Sequence, residues 1–408
     1  MQAVQPVKLG LMREAIHTSE RCTPSISLRS ELRFELVGEV GSLGTLSVDW
    51  ARLIEHARGP SLQFQSLAFI QHWLSHFEAS DVVVLLGYRG GELVMAWPMV
   101  RESRFGLKVL RWLGDPVAQY GDAIVRDGPD ADRWLELGLE HLKAHGKADL
   151  IQFDRLRADG ALAPVMRATG LAPTQSETAM AIDLTAFPTM EKFRSRFSGK
   201  TRRARRRHRT LLEERGALKF CVHTGGDKAV PAVKKAMDFK AEWLTLRGQI
   251  SRAFLDDRFE SFWIDLARSE TSGKTLLVSE FSCGGEIIAV EIGLRSGQHY
   301  IAHVGAFDPA YQDFGPGALQ MEETIAYLHG LGVETYDLLP PSDGYKKRWA
   351  DTEIDVADYT LANSALGQAY LAFGLQSLKD ELKSRFHQLP PGLRRSLATV
   401  LPMIAGRK

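Results

Sequence analysis

The stretch 307–350, FDPAYQDFGPGALQMEETIAYLHGLGVETYDLLPPSDGYKKRWA, decides the fold. It reads as the end of a strand, a tight loop Gln312-x-x-Gly315-x-Gly317, an amphipathic helix, and a short strand over 333–338. Pro316 stands where a helix begins, a position at which its missing N–H costs nothing. Gly315 and Gly317 let bare backbone approach a ligand. The helix behind them offers free N–H groups and the positive end of a dipole, which suits a diphosphate. A Gly-Pro-Gly sequence ahead of a helix can also be an ordinary turn, so the flanks matter. Residues 298–307 read as a strand, and Leu319, Ile325, Leu328 and Leu331 mark an apolar helix face behind the loop.

Working outward, the same pattern occurs twice. Val82–Val100 and Thr275–Leu294 are each an apolar strand, a Gly-Gly turn, a Glu and a second apolar strand, with Gly90-Gly91-Glu92-Leu93 matching Gly284-Gly285-Glu286-Ile287. Such runs joined by a glycine turn predict hairpins. After the first hairpin come an apolar segment (107–113), a helix near 132–144 and a strand ending in Asp154. After the second come the strand 298–307, the helix 318–330 and the strand ending in Asp337. This is an internal duplication of a mixed α/β unit. Where the second copy has QDFGPGALQ the first has GDPVAQYGDAIVRDG, so one cofactor per chain is expected.

The remaining pattern predicts a strand over 32–37 and helices over 48–57, 62–77, 231–246, 258–268 and 366–386. A continuous basic helix over 193–212 is expected to link the halves. Boundaries are expected at 1–30 (loose segment), 31–190 (first unit, without a phosphate loop), 191–218 (basic helix), 219–362 (cofactor-binding unit) and 363–408 (helical tail). The 408 residues are 44% hydrophobic and 25% charged, as in a protein with a full apolar core. No run of apolar residues is long enough for a membrane span, and no secretory signal is read at the N-terminus. Cys22, Cys221 and Cys283 lie far apart, without metal-ligand spacing. They fit free thiols in a cytoplasmic protein, and no metal is expected.

Net charge is +1, yet residues 192–219 hold twelve Lys or Arg against Glu213 and Glu214. Three readings stay open for this segment: a solvated helix facing an acidic body, a contact to CoA, a nucleotide-sugar phosphate or another anionic surface such as the inner face of a membrane, and a nucleic-acid contact. The last is disfavoured because no aromatic residue interleaves Arg202–Arg209. Leu371, Leu375, Leu378 and Leu382, with Lys379, Lys383 and Arg385 nearby, give the tail a second face for peripheral membrane contact or for packing on the body.

The chain resembles the GNAT-superfamily acyltransferases of the CelD/BcsL type, also called BioF2-like acetyltransferases, and more distantly the FemAB-type aminoacyltransferases. The resemblance covers roughly residues 45–360. It is carried by FQSLAFIQHW (64–73), FSGKTRRARRRHRTLLEERG (197–216), FKAEWLTLRG (239–248), IIAVEIGL (287–294), and the 307–325 and 336–350 segments quoted above. It implies an α/β fold of two tandem GNAT-like units, each a mixed, mostly antiparallel sheet flanked by helices. It also implies acetyl-CoA or another acyl-CoA as co-substrate and a sugar-type or amine acceptor. The function implied is direct N- or O-acetyl transfer to a sugar or polysaccharide precursor in exopolysaccharide, cellulose or cell-envelope biosynthesis. The rival readings are a FemAB-like aminoacyltransferase acting on a peptidoglycan precursor and a non-catalytic accessory of a polysaccharide synthase.

The superfamily's Gln/Arg-x-x-Gly-x-Gly/Ala loop matches Gln312, Gly315 and Gly317, so Gln312, Phe314, Gly315, Pro316, Gly317 and Ala318 are expected to hold the diphosphate. Val304, on the preceding strand, would face the pantetheine arm where the two strands part. Asp313 and Phe314 depart from the Arg-Gly common in single-domain members. Acyl transfer needs a base for the nucleophile, a donor for the oxyanion and an acid for the thiolate. Glu291, alone in the apolar run IIAVEIGL, and His303, beside the loop, are the base candidates. Tyr345 matches by position the tyrosine that protonates the thiolate. Asp337, Lys346 and Trp243 are the candidates for contact with the acceptor.

Overall fold

The computed structural model describes residues 32–373, apart from 39, 61, 80, 105, 270–274 and 343. The strands are β1 (Arg33–Val37), β2 (Val82–Arg89), β3 (Glu92–Arg104), β4 (Leu107–Trp112), β5 (Ile124–Val125), β6 (Leu150–Arg157), β7 (Gln175–Asp183), β8 (Leu218–His223), β9 (Leu276–Cys283), β10 (Glu286–Ser296), β11 (His299–Phe307), β12 (Thr335–Asp337) and β13 (Thr352–Ala362). The helices are α1 (Val40–Leu43), α2 (Ser47–Glu55), α3 (Leu67–His76), α4 (Ala131–His145), α5 (Ala163–Ala168), α6 (Met190–Ser195), α7 (Gly199–Glu213), α8 (Val230–Leu246), α9 (Asp257–Arg268), α10 (Pro316–Gly330), α11 (Lys346–Trp349) and α12 (Ala365–Ala372).

All strands join one mixed sheet in the order β1-β2-β3-β4-β6-β13-β7-β12-β11-β10-β9-β8, with β5 paired to β3. Both glycine-turn hairpins form, β2 with β3 and β9 with β10. The duplication is real in three dimensions. Within each half an antiparallel run leads to one parallel pair, β4 with β6 and β11 with β12. β7 and β13, not read from the sequence, join the halves. β7 pairs with β12, β13 pairs with β6, and β7 pairs with β13 across the centre. Each half thus lends its late strand to the other half's parallel pair.

Helices cover both faces. α2, α3, α8 and α9 lie on one face over a core that spans both halves and includes Trp50, Phe64, Phe262 and Trp263. On the other face α4 packs over Trp97 and Phe153, and α10 packs over Tyr300 and Tyr336. Two expectations are corrected. The basic segment is two helices, α6 and α7, because the Ser198 hydroxyl accepts the Thr201 amide and starts a new helix there. The strand expected over 333–338 is only Thr335–Asp337. Leu339 then takes a left-handed backbone and the chain turns away through Pro340-Pro341. The tail beyond 373, with Leu375, Leu378 and Leu382 of the apolar stripe, lies outside the described residues.

Candidate active site

The central feature is a gap between two parallel strands. β11 and β12 pair only at His299–Thr335, Tyr300–Tyr336 and Ile301–Asp337. Beyond Ile301, β11 runs on to Phe307 held by β10 alone, while β12 ends. At the same point the β10–β11 register jumps, from Gly293–Ala302 to Ile292–Val304, so His303 is the extra residue of a bulge. A bulge frees backbone groups and re-aims a side chain. Val304, next along, is buried.

The glycine loop lies just past the far end of β11. Gly315 adopts the left-handed conformation (φ 56°, ψ 48°), which a β-carbon would strain by about 1–2 kcal/mol. Its carbonyl accepts the Ala318 and Leu319 amides at 3.1 and 3.3 Å. Pro316 has no N–H, so the Gly317 amide is the donor of the first turn left without an intrahelical acceptor. No acidic residue occupies that turn. Gln312 accepts the Gly315 amide through its backbone carbonyl, and Arg215 lies over the Phe314 ring at 4.3 Å.

Glu291 and His303 sit on opposite faces of the sheet. Glu291 faces α10. The Tyr300 hydroxyl donates to Glu291 Oε1 at 2.9 Å and the Tyr336 hydroxyl donates to Oε2 at 2.6 Å. Tyr300 fits because Gly293 has no side chain: a β-carbon there would fall 2.0 Å from the tyrosine oxygen. Burial pushes the Glu291 carboxyl up to about 7, against the two phenol hydrogen bonds that favour its ionised form. Tyr345 stands 47% exposed at the start of α11, close enough to Tyr336 to help hold that phenol protonated, after burial and Glu291.

His303 faces the other way, among Phe64, Phe259 and Trp263, the last at 4.6 Å between ring centroids. Its Nε2 lies 2.7 Å from the Val117 carbonyl, which can only accept, so Nε2 carries the hydrogen. Nδ1 is then a bare lone pair, buried and without a partner among the described residues. Burial lowers the imidazole to about 4 despite the carbonyl, so it is neutral at pH 7.

Asp337 is fully buried and saturated. It accepts the Tyr120 hydroxyl at 2.9 and 3.1 Å and the Leu339 amide at 2.7 Å, and it forms an ion pair with the equally buried Arg157. His299 lies 3.8 Å away. Asp337 thus serves as a pin between the halves, with no lone pair facing a free acceptor. Lys346 donates to the Leu339 carbonyl at 2.9 Å and steadies the turn after β12. Trp243 lies on α8 between Lys240 and Arg247, and its ring contacts among the described residues are to these two side chains. Among the described residues no cluster of His, Cys, Asp and Glu could hold a metal.

Sequence reading singled out Glu291 and His303 but not their surroundings. Tyr300 and Tyr336 surround Glu291, and Tyr120, Arg157 and His299 surround Asp337. Tyr120 and Val117 come from the first half, on the connection 113–123. Gln65 fixes this connection through the Tyr120 carbonyl at 3.0 Å, and Asp122 does so by accepting the Ala123, Ala161 and Leu162 amides.

Residues 199–347 match the family model described as an acetyltransferase (GNAT) domain. The second half is GNAT-like. Its matched span holds the bulged strand, the glycine loop, the parted strand pair and Tyr345. No curated protein matches the chain. Solved structures similar to it include one titled as FemX (12% identity, 79% of this chain and 96% of that one, TM-score 0.49). The C-terminal DUF2156 domain of a putative lysylphosphatidylglycerol synthetase from Agrobacterium fabrum is similar at 15% identity, 82% and 97% coverage and TM-score 0.48. A tandem GNAT protein from the clavulanic acid pathway is similar at 11% identity, 82% and 99% coverage and TM-score 0.44. These likenesses are too remote to carry an activity to this chain.

Proposed function

We propose that the protein transfers an acyl group directly from acyl-CoA to an acceptor, with the donor held by the GNAT-like half. One observation carries this reading. The strand pair β11–β12 opens where β11 bulges, beside a helix start whose first turn has a free amide and no acid. The donor fits there as co-substrate: an apolar strand edge at Val304 for the pantetheine arm, and Gln312, Phe314, Gly315, Pro316, Gly317 and Ala318 around the diphosphate. Donor binding would occupy residues 219–362, and residues 31–190 would close the acceptor side.

His303 is the base we assign. Its Nδ1 lone pair is free, and its face of the sheet is the one shared with the first half. It would take the proton of the attacking hydroxyl or amine as the new ester or amide bond forms and the C–S bond breaks. A neutral imidazole at pH 7 is ready for that role without first losing a proton. On the donor face, Tyr345 would return a proton to the leaving thiolate, and the Tyr336–Glu291 pair would re-protonate it. Acetyl is the acyl group proposed.

The acceptor proposed is a sugar or polysaccharide precursor. A polar cleft of about 290 Å³, lined by residues of both halves, supports this. Arg104, Arg111, Arg155 and Arg252 line it together with Asp115, Asp154, Glu177 and Asp358. Equal numbers of cationic and anionic side chains, rich in both donors and acceptors, suit a neutral, hydroxyl-rich ligand. The cleft includes Ala118 and Tyr120, on the connection whose Val117 carbonyl holds His303. A thiol-release assay with acetyl-CoA across a panel of nucleotide sugars tests the proposal. Acceptor-dependent CoA release that is lost in His303→Ala supports it. No release with any sugar, from a protein that binds acetyl-CoA, removes the sugar assignment.

A further inference from the structure

The glycine loop is short of positive charge. The diphosphate and 3′-phosphate of CoA together bring about four negative charges at neutral pH, since a phosphomonoester's second pKa is near 6. The loop itself carries Asp313, and α10 carries Glu322 and Glu323 two turns on. A single helix N-terminus, worth about half a charge, cannot balance that sum.

The missing cations stand on α7. A cavity of about 550 Å³ lies between α6, α7 and α10. Arg202, Arg205, Arg206 and Arg209 of α7 line it, with Leu319 of α10. These arginines divide into two groups. Arg205 and Arg194 pair with Glu322, and Arg209 pairs with Glu323, so the two α10 glutamates are neutralised. Arg205 is further clamped between Phe197 and Trp349, at 4.0 and 4.2 Å. Among the described residues Arg202 and Arg206 form no ion pair, and both line the same cavity. The next face of α7 reaches the loop itself: His208 Nδ1 would lie 3.5 Å from a β-carbon on Gly315, and Leu212 packs with Leu319 and Phe314. One helix therefore runs from the glycine loop along the outer wall of the cavity, with Arg202 and Arg206 exposed at its rim.

We propose that this cavity binds the 3′-phosphorylated adenosine end of CoA, with Arg202 and Arg206 on the 3′-phosphate. The proposal rests on the acyl-CoA reading above and gives the basic helix a specific ligand. All four arginines are exposed, but Arg203 and Arg207 do not line the cavity, which makes them an internal control for general charge effects.

The test is calorimetry on the full chain with acetyl-CoA and with its dephospho form, which lacks the 3′-phosphate. Wild type should bind acetyl-CoA more tightly than the dephospho form. Arg202→Gln/Arg206→Gln should weaken acetyl-CoA by about tenfold or more, the effect of losing one charged hydrogen-bonding contact. It should leave the dephospho form nearly unchanged, and Arg203→Gln/Arg207→Gln should leave both unchanged. Equal loss in the two double variants, or equal loss for the two ligands, overturns the cavity assignment while the acyl-CoA reading stands. A wild type that binds neither ligand overturns both. Thermal melts of each variant confirm the fold, and among the described residues none of these four arginines holds an ion pair whose loss would destabilise it.

Discussion

The two halves share a strand plan and differ in what they place on it. In the parallel pair of the first half, Arg111–Gln152 stands where Ile301–Asp337 stands in the second. Counting on from that register, Leu113 takes the place of His303. Through the neighbouring strands, Met99–Trp112 matches Gly293–Ala302, so Trp97 takes the place of Glu291. Both replacements are buried and apolar. The helix starts differ as well. α4 begins among Asp127, Asp130 and Asp132, which pair with Arg58 and Arg89, whereas the first turn of α10 has no acid. Carboxylates at a helix N-terminus satisfy its dipole and repel a phosphate. The helix start is thus crowded with carboxylates in one copy and free of them in the other. The first copy's long connection, 113–123, reaches across to hold His303 and Asp337.

Substitutions can break this comparison at its strongest point first. His303→Ala, which gives the second half an apolar residue like Leu113, should lower turnover by about 10²–10⁴-fold, the usual contribution of a general base. Acetyl-CoA affinity should be unchanged in calorimetry. Full activity would mean that the bulged histidine only packs. Gly317→Val comes next. A β-carbon there already sits 3.1 Å from the Phe307 ring, so the larger side chain must displace the loop. Acetyl-CoA should bind at least about tenfold more weakly, a shift of about 1.4 kcal/mol or more.

Glu291→Gln sharpens the contrast through pH. The folded carboxyl titrates near 7 and the unfolded one near 4.5. The unfolded chain therefore releases its proton first, and this group's contribution to stability falls as pH rises from about 4.5 to about 7. The glutamine variant lacks that loss. Its stability relative to wild type should rise across the window by up to about 3 kcal/mol, as read from melting curves. His299 and His303, both lowered to about 4, act with the opposite sign, and their stability is lost as pH falls below 6.5. The wild-type minus variant difference cancels them. A flat difference would place Glu291 in solvent contact.

Smaller effects are expected at the joint and in the first copy. Tyr120→Phe removes one hydrogen bond to the buried Asp337 carboxylate and should cost about 1.5–3 kcal/mol in urea unfolding. Asp130→Asn at the start of α4 should leave the acetyl-CoA stoichiometry at one per chain. A second binding event would show that the first copy binds the donor too.

Much of this difference was legible in the sequence. The hairpins announced themselves by Gly-Gly turns, and the loop by Gln312, Gly315 and Gly317. Glu291 stood out as the one charge in IIAVEIGL. Its partners did not, although Gly293, two residues on and on the same face, was the mark of a close approach. β7 and β13 went unread because TEIDVADYTLA and QSETAMAID bury only part of their length and mix charges with apolar residues. Their role depends on pairing between distant segments, which no local period records. The break between α6 and α7 was hidden because the basic run continues through Ser198. Asp337 looked like a site residue at a strand end. Arg157 and Tyr120, far away in sequence, claim it instead.

The most direct test of the second copy is calorimetric titration of acetyl-CoA into wild type and Gly315→Trp. In the variant a bulky side chain on a left-handed residue would fill the loop. The account predicts one site per chain in wild type and no measurable heat from a variant that still melts cooperatively. Equal heats from the two proteins would contradict it.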